Sequence, residues 1–308
     1  MTADANTRDI AIIGAGLIGT AWAALFAHHG FRVRLWDPHA AALDKAVGQI
    51  PGLLAQLAQI AEAKGGAEWI TRCDRLDDAV AGAVLIQENA PENIPLKRAL
   101  LAEIEEAMAV EAIIASSTLA LTWSELAPGL REPARLITAH PFNPPHLVPL
   151  VELFGADDAR LDRAEAIYRA ADRMPVRLRK DATGHIANRL ASALWREAVF
   201  MVQEGIADVE AIDAALVNGP GLRWSVLGAH MAYHLGGGAQ GMAGYLAHLG
   251  PSQERRWAAL GAPVLSPEVC AALIEGVETA AAGRSIAELE QDRDAALIAL
   301  LRARAMKD

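Results

Sequence analysis

Gly14, Gly16 and Gly19 stand between an apolar run at residues 10–13 and a stretch of helical periodicity over 17–29. A GxGxxG string in that setting constrains the fold more than any other feature of the chain. The first glycine permits a tight turn, the second lets backbone approach a pyrophosphate closely, and the third allows a helix to pack tightly on a strand. The helix opening at Leu17 and Ile18 then presents free N–H groups to phosphate. Asp37 stands 23 positions after Gly14, at the end of a second β-branched run. There an acidic side chain can accept from the ribose hydroxyls of an adenosine and repel a 2′-phosphate, so the spacing predicts NAD rather than NADP. A plainer role for Asp37, followed by Pro38, is to cap the next helix.

The same alternation continues. Strands are expected at 10–13, 32–36, 84–87, 112–115, 136–139 and 147–153, with helices at 17–29, 40–64, 93–108 and 158–173. This is the pattern of βαβ units in a doubly wound, Rossmann-type α/β sheet. After residue 178 the periodicity is helical only, at 185–204, 208–217, 252–260, 267–281 and 286–305, with Ser285 and Glu288 as a capping box and the glycine-rich 236–244 as a loop. The expected division is a dinucleotide-binding domain at 1–183 and an all-helical substrate and dimerisation domain at 184–308.

Composition narrows the partners. A net charge of −10 makes nucleic acid and anionic membrane surfaces poor partners. Residues 10–27 carry no charge, but three glycines in six positions argue against a membrane span. Asp4, Arg8 and Asp9 are not the basic start of a secretory leader. With Cys73 and Cys270 as the only cysteines, a disulfide framework or cysteine zinc site is not expected, and a cytoplasmic setting is. His230 and His234 have helix-ligand spacing without a third ligand, and His28 and His29 lack even that, so no metal is expected.

His140-Pro141-Phe142-Asn143-Pro144 follows one strand-like run and precedes another that ends near Glu152. Two such strands at the carboxyl edge of the sheet can set His140 beside Glu152. An imidazole oriented by a carboxylate is the base that alcohol oxidation with NAD needs. A structural hydrogen bond would explain the same histidine.

The glycine turn, Glu92 with Lys97, Ser116-Ser117-Thr118, the HPFNP segment, Glu152 and Asn188-Arg189 together resemble the 3-hydroxyacyl-CoA dehydrogenase superfamily, over essentially the whole chain. Within it, VPLVEL, Gly221-Leu222-Arg223-Trp224 and GRSIAELEQDRD resemble the branches acting on carnitine and L-gulonate. The resemblance implies His140 as general base, Glu152 as its orienting partner and Asn188 as a donor to the substrate oxygen. It also implies Glu92 and Lys97 on the nicotinamide side, with Ser117 and Asn143 at the cofactor, and a homodimer through the helical domain. One departure is Leu119, where the family carries a small polar residue against the substrate hydroxyl. Either Ser117 or Thr118 then takes that role, or His140 and Asn188 hold the oxygen alone.

Only Lys45 and Lys64 offer positive charge over 41–65, poor footing for the phosphates of CoA. Arg223 offers a fork for a free carboxylate. Trp224, Trp195 and Tyr233 offer faces for a quaternary ammonium; the plainer reading of each is core or subunit interface. The expected activity is oxidation of the 3-hydroxyl of a small hydroxy acid. An acyl-CoA substrate and a non-catalytic NAD-binding protein are the alternatives. Ile186, Leu190, Ala193, Leu194 and Met201 exceed what one face of a small domain needs, which predicts burial against a second copy.

Overall fold

The computed structural model describes residues 9–305; Asp4 and Arg8 lie outside them. Eight strands, β1 (Asp9–Ile13), β2 (Arg32–Trp36), β3 (Ile70–Arg72), β4 (Leu85–Glu88), β5 (Ile113–Ser116), β6 (Leu136–Pro141), β7 (Leu150–Gly155) and β8 (Met174–Arg177), form one sheet in the order β3-β2-β1-β4-β5-β6-β7-β8. Every pairing is parallel except β6 with β7. The helices are α1 (Leu17–His28), α2 (Ala40–Leu57), α3 (Leu76–Val80), α4 (Ile94–Ala107), α5 (Trp123–Leu126), α6 (Asp158–Ala170), α7 (Ala187–Gln203), α8 (Val209–Asn218), α9 (Pro220–Trp224), α10 (Ala229–Gly236), α11 (Gly241–Ala258), α12 (Pro267–Ala281) and α13 (Ile286–Ala305).

The central strands are apolar on both faces, as a sheet covered on both sides requires. Ile10 and Ile12 of β1 face Trp22 and Phe26 of α1, Leu43 of α2 and Tyr168 of α6. Ala11 and Ile13 face the opposite layer, with Val80 of α3, Leu101 and Ile104 of α4 and Leu126 of α5. The strand order reverses between β1 and β4, which opens a crevice at their carboxyl ends, the place where such sheets bind ligands.

The expected strands and long helices are present with ends shifted by a few residues. β3 and β8 were not anticipated. Thr71 and Arg72 of β3 are exposed, so no apolar run marks it. β8 contains Pro175, which argues against a central strand but is tolerated at a sheet edge, where β8 lies. α2 ends at Leu57 rather than 64. α11 starts at Gly241 and runs through Pro251, so the glycine-rich 236–244 segment is largely helix; Pro251 gave a false start at 252. The capping box forms: the Ser285 hydroxyl accepts from Glu288 N at 3.3 Å, and Ser285 N donates to the Glu288 carboxylate at 2.8 Å.

By packing, the described residues divide into one unit of 9–188 with 292–305 and another of 189–291. This differs from a single break at 183. The end of α13 belongs with the sheet because Ile298 is buried there and Asp294 accepts from Gln56 Nε2 at 3.0 Å. The helical unit keeps few large apolar residues buried, among them Val199, Ile212, Tyr245 and Val269. No helix among the described residues is long and apolar enough to cross a membrane.

His146 illustrates the cost of burying an imidazole. Its Nε2 pairs with Gln56 Oε1 at 2.7 Å, while its buried Nδ1 has no partner among the described residues. Burial pushes its pKa down to about 4; Asp294 opposes this, and Arg173 and Arg293 reinforce it. The folded pKa lies below the unfolded 6.5, so between these values the unfolded chain binds more protons. The stability His146 contributes is therefore full above about pH 6.5 and lost as pH falls toward 4, at up to about 1.4 kcal/mol per pH unit. Proton NMR of the folded protein should show no His146 titration near pH 6.5; a midpoint there would contradict the assignment.

Candidate active site

The turn from β1 into α1 is built as its glycines suggest. Gly14 adopts φ +96°, and a Cβ on Gly19 would lie 1.8 Å from the Gly14 carbonyl oxygen, so only glycine permits the helix to sit this close. Gly16 differs: a Cβ there would meet no protein atom within 4 Å. Protein packing gives no reason for glycine at Gly16, whereas a phosphate approaching the N-terminus of α1 does. Leu17 and Ile18 form the first turn of that helix.

Asp37 follows β2 and reaches across this turn. Its Oδ2 accepts from Ala15 N at 2.8 Å and its Oδ1 from His39 N at 2.9 Å. It does not cap α2, whose N-cap is His39. A carboxylate offers about four acceptor sites, so capacity for ribose hydroxyls remains. Asp37, Gly14, Gly16, Asn89, Pro91 and Leu96 border a cleft of about 530 Å³.

At the same edge of the sheet the antiparallel register sets His140 of β6 directly opposite Glu152 of β7. His140 Nδ1 lies 2.9 Å from Glu152 Oε2, and both side chains are buried. A carboxylate accepts, so Nδ1 carries a proton, and in the neutral ring the lone pair is then on Nε2. Glu152 Oε1 accepts from Ile186 N at 2.8 Å and Ala187 N at 2.9 Å, where α7 begins. Burial pushes the Glu152 carboxyl up, but the bonds from His140, Ala187 and Ile186 outweigh it and hold the group below its usual range. Asn188 Nδ2 stands 3.4 Å from His140 Nε2 and donates to Leu119 O at 3.3 Å.

The remaining expected residues are placed as follows. Ser117 donates to Asn89 Oδ1 at 2.7 Å and accepts from Gln87 Nε2 at 2.8 Å and Trp22 Nε1 at 3.3 Å, which uses every site a hydroxyl has. Thr118 donates to Glu92 Oε1 at 2.7 Å and accepts from Leu121 N at 2.9 Å. Glu92 Oε1 also accepts from the N–H groups of Leu119, Ala120 and Leu121, so it staples the loop after β5. Burial raises its pKa, but these bonds and Lys97 bring it below the usual carboxylate range. Lys97 is buried against a different carboxylate: its Nζ reaches both oxygens of Glu88, at 2.8 and 3.0 Å. Asn143 is exposed beside a cleft that includes Leu17 and Thr20. Arg223 and Trp224 belong to α9 of the helical unit and are exposed, and the Arg223 guanidinium has no hydrogen bond or ion pair among the described residues.

Sequence reasoning did not single out Glu88, Gln87, Asn89 or His185. The first three sit at the carboxyl end of β4, beside the strand reversal, which was a usable signal.

Residues 9–182 match the profile of the 3-hydroxyacyl-CoA dehydrogenase NAD binding domain, and 184–272 match that of the 3-hydroxyacyl-CoA dehydrogenase C-terminal domain. The chain belongs to the 3-hydroxyacyl-CoA dehydrogenase family. As a member it is an NAD-dependent oxidoreductase, and the open space at Gly16 and the acidic residue just after β2 fit that cofactor. Among relatives, an L-carnitine dehydrogenase of Nocardiopsis dassonvillei is 43% identical over 98% of this chain and 95% of its own length. That of Streptomyces coelicolor is 40% identical over 98% and 96%. Among solved structures, 5-formyl-3-hydroxy-2-methylpyridine 4-carboxylic acid 5-dehydrogenase, an NAD+-dependent dismutase, superposes with a TM-score of 0.83 at 28% identity, over 96% of this chain and 98% of that one. (S)-3-hydroxybutyryl-CoA dehydrogenase from Ralstonia eutropha gives 0.63 at 27% identity, over 70% and 79%.

Proposed function

We propose that this chain oxidises the 3-hydroxyl of a small hydroxy acid, of the carnitine or gulonate type, to the 3-keto acid. The observation that carries the reading is the buried His140–Glu152 pair at the sheet edge that also bears the glycine turn, in a chain 43% identical to an L-carnitine dehydrogenase. The Nε2 lone pair of His140 takes the hydroxyl proton. When bound, NAD supplies the hydride acceptor, held by Gly14, Gly16, Leu17, Ile18 and Gly19 at its phosphates and by Asp37 at its ribose. Glu152, kept ionised by two backbone N–H groups, stabilises the imidazolium that forms on His140. Asn188 donates to the substrate oxygen. With the Ser117 and Thr118 hydroxyls engaged in the protein, His140 and Asn188 suffice for that oxygen despite Leu119.

The Arg223 guanidinium, with no hydrogen bond or ion pair among the described residues, suits a substrate carboxylate, and Trp224, Trp195 and Tyr233 offer faces for a cationic end. A turnover panel of carnitine, L-gulonate, 3-hydroxybutyrate and 3-hydroxybutyryl-CoA, with NAD and with NADP, tests the whole reading. Carnitine or gulonate with NAD should lead. Arg223→Met should lower kcat/KM for the leading acid by roughly 10- to 100-fold, one or two charge-assisted bonds' worth. Good turnover of the thioester with small acids unaffected by Arg223→Met, or equal use of NADP, would count against it. A cytoplasmic location suits the two free cysteines.

The helical unit carries the further proposal of a homodimer. Leu190, Trp195, Val217, Trp257, Val264 and Ile274 are all exposed large apolar residues of this unit, surface that burial against a second copy would remove from water. Light scattering at assay concentration should report twice the 32.7 kDa chain mass; a single 32.7 kDa species would refute the dimer.

A further inference from the structure

His185 is buried, and its ring lies flat against that of His140, with centroids 4.7 Å apart and planes 12° from parallel. Its Nε2 is 3.1 Å from the Thr118 carbonyl oxygen; a carbonyl only accepts, so Nε2 carries the proton and anchors the ring. Its backbone adopts φ +49°, directly after Gly184 at +75°. A non-glycine residue in this left-handed region is uncommon, and such residues cluster where a side chain has a job. The surrounding segment is pinned on every side. Asp181 accepts from Trp123 N and Ser124 N at the start of α5, Ile186 and Ala187 donate to Glu152, and Asn188 donates to Leu119 O.

We propose that His185 is a positioning residue for His140, an anchored flat ring that sets the plane of the neighbouring imidazole and so the direction of its Nε2. This rests on His140 being the base. The bond from Nδ1 to Glu152 fixes one direction of the His140 ring but leaves rotation about that bond open. A plane lying parallel against the ring removes that rotation, and the Thr118 carbonyl keeps the plane in place. The titratable groups that face His185 are His140 from β6, Glu152 from β7 and Asp181 from its own segment. Burial, and next the adjacent His140, hold the His185 pKa below its usual 6.5 against the raising effects of Thr118, Glu152 and Asp181. A neutral neighbour leaves the positive charge arising on His140 unopposed.

His185→Phe keeps the flat face, and His185→Leu fills the space without one. Phe should retain kcat within about fivefold and Leu should lose roughly 10- to 100-fold, with KM for NAD changed by less than about twofold in both. A volume-filling role would make the two equal, and that result overturns the proposal, as does a loss borne entirely by KM. Imidazole nitrogen NMR of the wild-type protein is independent of whether the variants fold. It should show His185 as the Nε2–H tautomer, with its midpoint below 6.5. An Nδ1–H tautomer, or titration at or above 6.5, overturns the proposal. His140→Ala separates the two readings: retained turnover there sinks the base assignment, whereas lost turnover with equal Phe and Leu variants sinks only the role of His185.

Discussion

His140→Ala lowers turnover by roughly 10²–10⁴, the usual worth of a positioned general base, with NAD affinity within about twofold of wild type. Affinity should hold because the groups assigned to the phosphates and ribose, from Gly14 to Asp37, lie in the turn after β1, at the start of α1 and just after β2, whereas His140 lies on β6. Glu152→Gln should cost nearly as much. The amide keeps the shape but carries no charge to stabilise an imidazolium, and the two N–H groups of Ile186 and Ala187 lose an ionised acceptor. The double variant should be little worse than either single one, because a base and the group that orients it act as one unit. Steady-state kinetics with a saturating substrate, together with direct titration of NAD, decides the matter. Near-normal turnover in His140→Ala would show that the proton goes elsewhere, and additive losses would show that Glu152 acts independently.

Much of this arrangement was legible in the chain, for identifiable reasons. The glycine turn and Asp37 were readable because close backbone approach and an acidic strand end impose residue types at fixed spacing. The pairing of His140 with Glu152 was readable because two short strand-like runs, consecutive in the chain and joined by only residues 142–149, are natural neighbours at one sheet edge. β8 was harder, since Pro175 contradicts the ordinary strand pattern and only its edge position reconciles the two. His185 was invisible for another reason. Its contact with His140 joins positions 45 apart and depends on a left-handed backbone that no periodicity announces. Lys97 shows the limit of motif reading: the motif placed it near Glu92, but the carboxylate it meets is Glu88, nine positions earlier and at the end of the neighbouring strand β4.

Lys97→Met should destabilise the fold by about 3–5 kcal/mol, a large share of the ~5–15 kcal/mol that holds a typical domain together. Glu88 is completely buried and Lys97 is 1% exposed. Removing the ammonium leaves the Glu88 carboxylate, among the described residues, with the Ser116 hydroxyl at 2.5 Å and the Ala90 N–H at 2.6 Å. Two neutral donors do not replace a cation inside the protein, where an unpaired charge is poorly solvated. The companion variant Glu88→Gln/Lys97→Met removes both charges and should recover most of the loss, because a buried pair contributes little net stability once its desolvation is counted. Urea denaturation of the two single variants and the double one yields this coupling directly. The outcome also bears on where Lys97 acts. A lysine that served chiefly at the nicotinamide would, when replaced, raise KM for NAD and leave the denaturation midpoint where it was. A single variant within about 1 kcal/mol of wild type, with cofactor binding weakened, would therefore move Lys97 out of the fold's interior and into the cofactor site.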